Sequence, residues 1–360
     1  FTLLMIRNKN INIALMGVGI MGVKHLEAIK KCHNVNVIAI IENNTEQLSK
    51  LNVKTNFYKN ISQAFKNHKI DGVIVSTPNS QHLENSVEVI EKNCPLLIEK
   101  PITTNSEDAL KIKILSNKKN VDVLVGHHRR HNPIIKKAYD IINRSVIGEI
   151  RTVHINCQMY KPDEYFENAK WKKEKGAGPV FVNLIHDLDL MNYFCGDIES
   201  VHAQMHPAKR GYMNEDVCGA LLRFKNGIIG TLLVSDSVAS PWSWELTSKE
   251  NDIYPSTEET CYFFGGSEGS LSLPSLKVWK HKNKPHWFNP MTEKKYLCKM
   301  SDPLVNQINH FCDIINKTAK PIIDPDVASK TIRVIEAIKE SAKIQKAIGL
   351  CRSADLCDQT

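Results

Sequence analysis

Six residues, Gly17-Val18-Gly19-Ile20-Met21-Gly22, directly follow an apolar run and lead into a segment of helical periodicity. That spacing suits a turn that receives a pyrophosphate. The first glycine permits the tight bend, the second admits the phosphates against the backbone, and the third lets helix and strand pack closely. Free N–H groups at the helix start then hold the phosphates. Glu42 closes the second apolar run, 20 residues after Gly22, where a carboxylate accepts hydrogen bonds from ribose hydroxyls. Asn43 and Asn44 follow, with no arginine to meet a 2′-phosphate, so NAD is expected rather than NADP.

Three further segments stand where loops leave the carboxyl ends of expected strands, the ligand-binding edge of an open α/β sheet. They are Thr77-Pro78-Asn79-Ser80-Gln81-His82, Glu99-Lys100-Pro101 and Gly126-His127-His128-Arg129-Arg130-His131. His127 and His131 are four apart, but the intervening arginines and the lack of a carboxylate oppose a metal, and none is expected. Farther on, Gly178-Pro179 opens and Gly196 closes a run, Val180 to Cys195, that reads as one helix. Its apolar face holds Phe181, Leu184, Ile185, Leu188 and Met191, leaving Asn183, His186, Asp187 and Asp189 as polar exceptions that need partners. His186 suits proton exchange near neutral pH, although a lone histidine on such a helix is also often a core residue.

The elements that must position these groups change character along the chain. Apolar runs Ile11 to Met16, Val35 to Ile41, Gly72 to Ser76, Leu96 to Glu99 and Val121 to Gly126 alternate with helical segments, the pattern of βα units and a parallel sheet. After a helical segment, Pro133 to Arg144, come strand-like runs Ile150 to Met159, Val201 to Met205, Gly219 to Phe224 and Ile228 to Val234, which predict a largely antiparallel open sheet. Helical runs Leu304 to Ile315 and Val327 to Ile348 close the chain. The fold class is thus α/β followed by α+β.

The 360 residues suffice for two domains, and 42% hydrophobic with 24% charged residues are globular proportions. The longest charge-free apolar stretch, Asn10 to Val23, contains three glycines and falls short of a bilayer span. Phe1-Thr2-Leu3-Leu4 runs straight into Arg7 and Lys9, unlike a secretory signal. Ten cysteines without any CxxC pair point to a reducing, cytoplasmic setting. The net charge of +8 is spread along the chain without a nucleic-acid motif, so neither nucleic acid nor membrane is expected as a partner.

With the glycine turn and Glu42, the Glu99-Lys100-Pro101 segment resembles the glucose-fructose oxidoreductase, inositol dehydrogenase and rhizopine-catabolism (Gfo/Idh/MocA) superfamily over nearly the whole chain. The resemblance implies a Rossmann NAD-binding domain over residues 1–127 and a substrate-binding and oligomerisation domain over 128–326. It also implies a helix at about 327–348 that packs back on the first domain. Cofactor contacts are implied at Gly17, Val18, Gly19, Ile20, Met21, Gly22, Glu42, Thr77, Pro78, Asn79, His82, Glu99, Lys100 and His128. Substrate contacts are implied at Lys100, Arg130, Tyr165, Trp171, Lys172, Asn183 and His186, though aromatics such as Tyr165 and Trp171 equally suit a subunit contact.

The family's helix carries an Asp, a His four positions later and a second Asp three beyond. His186 and Asp189 match, while Val182 stands at the first Asp position and Asn183, three residues before His186, offers a polar group on the same helical face. The resemblance implies His186 as general acid/base, Lys100 as stabiliser of charge on oxygen, and Asn183 as a hydrogen-bond partner of a neighbouring hydroxyl. The activity it implies is hydride transfer between NAD and a secondary alcohol of a sugar, sugar derivative or cyclic polyol, by a homodimer or homotetramer. Two alternatives are a non-catalytic dinucleotide-sensing regulator and a reductase of a nonsugar C=N or C=C bond.

Overall fold

The computed structural model describes residues 10–207 and 209–350. The leading Phe1 to Lys9 and the tail holding Cys351 and Cys357 lie outside the described residues. Two compact units emerge. Among the described residues no helix is long and apolar enough to cross a membrane.

The first unit takes residues up to His131 together with Ser301–Ile332. Its sheet comprises β1 (Ile11–Met16), β2 (Val35–Ile41), β3 (Asn56–Tyr58), β4 (Gly72–Val75), β5 (Leu96–Glu99) and β6 (Val123–Gly126). All pairings are parallel, in the order β3-β2-β1-β4-β5-β6. That is the doubly wound Rossmann order, which reverses between β1 and β4 and opens a ligand crevice at their carboxyl ends. Strands buried on both faces read as unbroken apolar runs, as in Gly72–Val75 and Leu96–Glu99. The edge strand β3 has only three residues with Phe57 exposed, too little pattern to be read from sequence.

The helix Pro303–Ile315, which the boundary implied by the resemblance left with the second domain, falls in this unit. Asp302 caps it, accepting from the Leu304 N–H, and Ile308, Phe311 and Ile314 pack with Ile13 and Leu15 of β1. A Cβ on Gly72 would lie 2.5 Å from Ile315 Cδ1 and 3.1 Å from the Phe311 ring, so the glycine lets this helix pack closely on β4 without displacing those side chains. Ala328 and Ile332, from the first turns of the helix Pro325–Ile344, join the core on the other face.

The second unit holds Asn132–Met300 and the chain from Arg333 onward. Its strands are β7 (Ile150–Gln158), β8 (Ile198–Pro207), β9 (Glu215–Phe224), β10 (Ile229–Ser235), β11 (Tyr262–Gly266), β12 (Gly269–Leu273), β13 (Lys277–His281), β14 (Met291–Lys295) and β15 (Ile348–Gly349). They run in the order β14-β13-β12-β11-β7-β10-β9-β8-β15. Every pairing is antiparallel except β7 with β10, which places the carboxyl ends of those two strands side by side. Alternation is clean: Leu222, Phe224, Leu232 and Val234 point into the core, while Leu221, Ile229 and Leu233 remain exposed. The helices Pro133–Asn143 and Leu184–Cys195 cover the inner face, with Val334, Ile335 and Ile338 in the same core.

Sequence periodicity found β7 to β10 and missed β11 to β15. The missed strands carry few apolar residues beside their glycines, serines or lysines, and β14 is exposed throughout, so each gives too little apolar signal to stand out. The run Val180 to Cys195 is also not one helix. It divides into Pro179–Val182 and Leu184–Cys195, with Asn183 at φ −102° and ψ −55° as the junction.

Candidate active site

The glycine turn in the first unit sorts its three glycines by what surrounds them. Gly17 has φ +85°, and a Cβ there would lie 2.7 Å from the Ser76 carbonyl oxygen. On Gly22 a Cβ would lie 2.2 Å from the Gly17 carbonyl oxygen. The protein's own backbone therefore demands both. A Cβ on Gly19 would meet nothing within 4 Å, so this glycine borders open space at the N-cap of the helix Ile20–Lys30. No side chain caps that helix, leaving its first N–H groups for an anion. Glu42, at the end of β2, accepts from the Val18 N–H at 3.1 Å and the Asn44 N–H at 2.8 Å, which fixes its carboxylate at the rim of the turn. Open space, unspent donors and a fixed carboxylate fit a dinucleotide.

Glu99 ends β5 and is only 4% exposed. Burial works against its charge, yet the hydrogen bond and charge of His25, with the charges of His128 and Lys100, hold its carboxyl below the usual range. His25 Nε2 lies 2.7 Å from Glu99 Oε1. The Lys100 N–H donates to Glu99 Oε2 at 3.2 Å, so the backbone carrying the ammonium is pinned to a buried carboxylate. On the neighbouring β6, a Cβ at Gly126 would lie 3.1 Å from Glu99 Oε1, which explains the glycine. Sequence reasoning missed His25. The signal was present: it shares the buried stripe of its helix with Gly22, Leu26 and Ile29.

His82 is fully buried, with Nδ1 2.8 Å from the Pro101 carbonyl and Nε2 3.0 Å from the Thr77 carbonyl. Burial lowers its pKa. It thus ties the Thr77-Pro78-Asn79 turn, at the end of β4, to the segment after Lys100. Arg130 is also buried and donates to the Ile322 carbonyl at 3.3 Å.

In the second unit, Gly178 caps the helix Pro179–Val182. A Cβ there would collide with the Glu215 carboxylate at 2.2 Å, whose Oε1 accepts from the Val180 N–H at 3.1 Å. Burial pushes the Glu215 carboxyl up. His186, Asp187 and Asp189 are buried in the next helix, and the Tyr262 hydroxyl donates to Asp187 Oδ1.

Lys161, absent from the sequence reading, meets Asn183 and Tyr165 among the expected substrate residues. It follows β7, and its Nζ donates to Asn183 Oδ1 at 2.7 Å and lies 3.3 Å from Asp236 Oδ2. Asp236 follows β10, the parallel neighbour of β7, and also accepts from Arg210 Nη1 at 3.0 Å. The Tyr165 ring lies under two ammonium groups, with Lys161 Nζ at 5.1 Å and Lys172 Nζ at 3.8 Å from its centroid. Burial lowers the pKa of Lys161, against the pull of Asp236. Tyr165, Lys172 and Asn183 are therefore brought together, while Trp171 stands exposed on the turn Lys170–Lys173. The charge-bearing ends of β7 and β10 could have been noticed in sequence, but their adjacency depends on a parallel pairing that no periodicity announces.

Known proteins supply a consistent frame. An oxidoreductase of Formosa agariphila is 23% identical over 329 residues, 84% of this chain and 98% of its own length. The scyllo-inositol 2-dehydrogenase (NADP(+)) of Bacillus subtilis is 21% identical, spanning 97% of this chain and 99% of its own. Among solved structures, the WlbA dehydrogenase from Bordetella pertussis, in complex with NADH and UDP-GlcNAcA, shares the fold with a TM-score of 0.75. It is 18% identical and covers 96% of this chain and 99% of that one. Residues 11–127 match the model of an oxidoreductase family with an NAD-binding Rossmann fold, and residues 135–272 match the GFO/IDH/MocA C-terminal domain. With both domain models matched in order along the sequence, this chain belongs to the GFO/IDH/MocA family of oxidoreductases.

Proposed function

We propose that the chain is an NAD-dependent dehydrogenase acting on a secondary alcohol of a sugar, sugar derivative or cyclic polyol. The observation that carries this reading is the mounting of Lys100, whose backbone is held by the buried Glu99 carboxylate. A side chain so mounted is pre-organised to meet charge developing on an oxygen, which is where electrostatic stabilisation is worth most. When bound, the nicotinamide dinucleotide accepts the hydrogen that leaves the alcohol carbon. His186 takes the hydroxyl proton on its imidazole, Lys100 steadies the oxygen's negative charge, and Asn183 hydrogen-bonds a neighbouring oxygen of the substrate. Lys100→Met leaves NAD affinity nearly intact and cuts turnover by about a hundredfold or more. NADH absorbance and a binding titration measure the two quantities, and unchanged turnover removes Lys100 from the mechanism.

The choice of NAD rests on Glu42, whose carboxylate would repel a 2′-phosphate. The reducing cytoplasm is the compartment that its free thiols suit. A homodimer or homotetramer would cover the outward sheet face, where Leu221, Ile229, Leu233, Phe263 and Trp279 are exposed. Phe263→Asp should then lower the mass seen in sedimentation, and a wild-type monomer would refute the assembly. A dinucleotide-sensing regulator is the second reading, favoured by Val182 where the family's acid stands. NAD binding without NADH formation across a broad sugar and polyol panel would favour it.

A further inference from the structure

An amide side chain has an acceptor end and a donor end, and which end faces a ligand decides what that ligand must bring. At Asn183 the question is settled by a neighbour. Lys161 is 5% exposed, and its ammonium carries only donors, so the atom 2.7 Å from Nζ must be the Asn183 oxygen. The amide nitrogen is thereby set at the other end. Lys161 cannot readily turn away, because Asp236 lies 3.3 Å from the same Nζ and the Lys161 N–H donates to the Asp236 carbonyl at 2.8 Å. Asp236 is itself held by Arg210 through Nη1 and through an Nη2 bond to the Asp236 carbonyl at 2.9 Å. Asn183 is only partly buried and lies three residues before His186, at the junction where the helix breaks.

We propose that Lys161 is a positioning residue that locks Asn183 with its N–H donors toward the substrate, so that the substrate group recognised there is an acceptor oxygen, best supplied by a carboxylate. A carboxylate side chain in this region would instead demand a hydroxyl donor. The ammonium behind the amide polarises it, strengthening its N–H groups as donors. Bonds from such donors to a charged oxygen are about twice as strong as those to a neutral one. A hydroxyl is tolerated and a sugar acid is preferred. This rests on the reading above that Asn183 meets substrate.

The test uses the full chain with saturating NAD and three ligand pairs: D-glucuronate with D-glucose, D-galacturonate with D-galactose, and D-gluconate with D-glucitol. Calorimetry measures affinity, and absorbance of NADH is followed in parallel. The acid of at least one pair should bind ten times more tightly than its neutral partner or better. Lys161→Met should remove that preference while leaving the neutral affinity within about twofold, Asn183→Leu should remove it as well, and the double variant should be no worse than Asn183→Leu alone. Such non-additivity is expected of a residue acting through another and not of a general loss of structure. Asp236 keeps Arg210 in Lys161→Met, so no buried carboxylate is orphaned. Should that variant fail to fold, Asn183→Asp, which pairs with Lys161, must abolish the acid preference by itself. Equal affinity within every pair, no binding by any acid, or a preference that survives these substitutions overturns the proposal. Acid preference without NADH formation leaves it standing and removes the dehydrogenase reading instead.

Discussion

The two units prepare for ligands in different ways. In the first, recognition is built from backbone and from residues adjacent in sequence: the turn Gly17 to Gly22, Glu42 closing the next strand, and Lys100 held by its own neighbour Glu99. In the second, the central cluster draws Lys161, Asn183, Arg210 and Asp236 from four separate segments. A phosphate cradle needs glycines at set offsets, so local sequence must contain it. A polar cluster needs only that chains meet in space. The first kind of site survives divergence of its surroundings, whereas the second changes character when one distant residue changes.

The largest expected effect tests a tertiary contact in the first unit. Glu99→Gln removes the carboxylate that meets His25 Nε2 and the Lys100 N–H, and losing hydrogen bonds to a charged group costs about 1.5–3 kcal/mol. Because the Glu99 carboxyl sits below its usual range when folded, its contribution is complete above the ordinary carboxyl pKa of about 4.3 and fades as pH falls through the lower folded value. The gap in melting temperature between wild type and variant should therefore narrow in strong acid. A gap independent of pH would show that packing, not charge, holds this element.

A smaller effect separates the glycines. Gly22→Ala drives a Cβ into the Gly17 carbonyl and should destabilise by about 1–3 kcal/mol while abolishing NAD binding. Gly19→Ala, with nothing within 4 Å of its Cβ, should melt like wild type and weaken NAD alone. Equal melting of both variants would deny that the open space at Gly19 is kept for a ligand. The smallest effect concerns the choice of coenzyme: Glu42→Ala should weaken NAD far more than NADP in parallel titrations. Equal losses would mean that this carboxylate serves only the Val18 and Asn44 N–H groups.

Sequence by itself determined the parallel sheet, the glycine turn, Glu42 and the Glu99-Lys100-Pro101 segment, because buried strands and phosphate turns impose their residue types within a few positions. It also marked His186 and Asn183 as polar groups in an apolar run that needed partners. Only the tertiary structure decided who those partners are. Asp187 meets Tyr262 from β11, a strand that periodicity did not reveal, and Glu99 meets His25 from a different segment. Asn183 meets Lys161, which reaches Asp236 solely because β7 and β10 run parallel. Strand pairing over such separations leaves no periodic trace in the chain, since it is set by how whole faces bury one another rather than by any local preference.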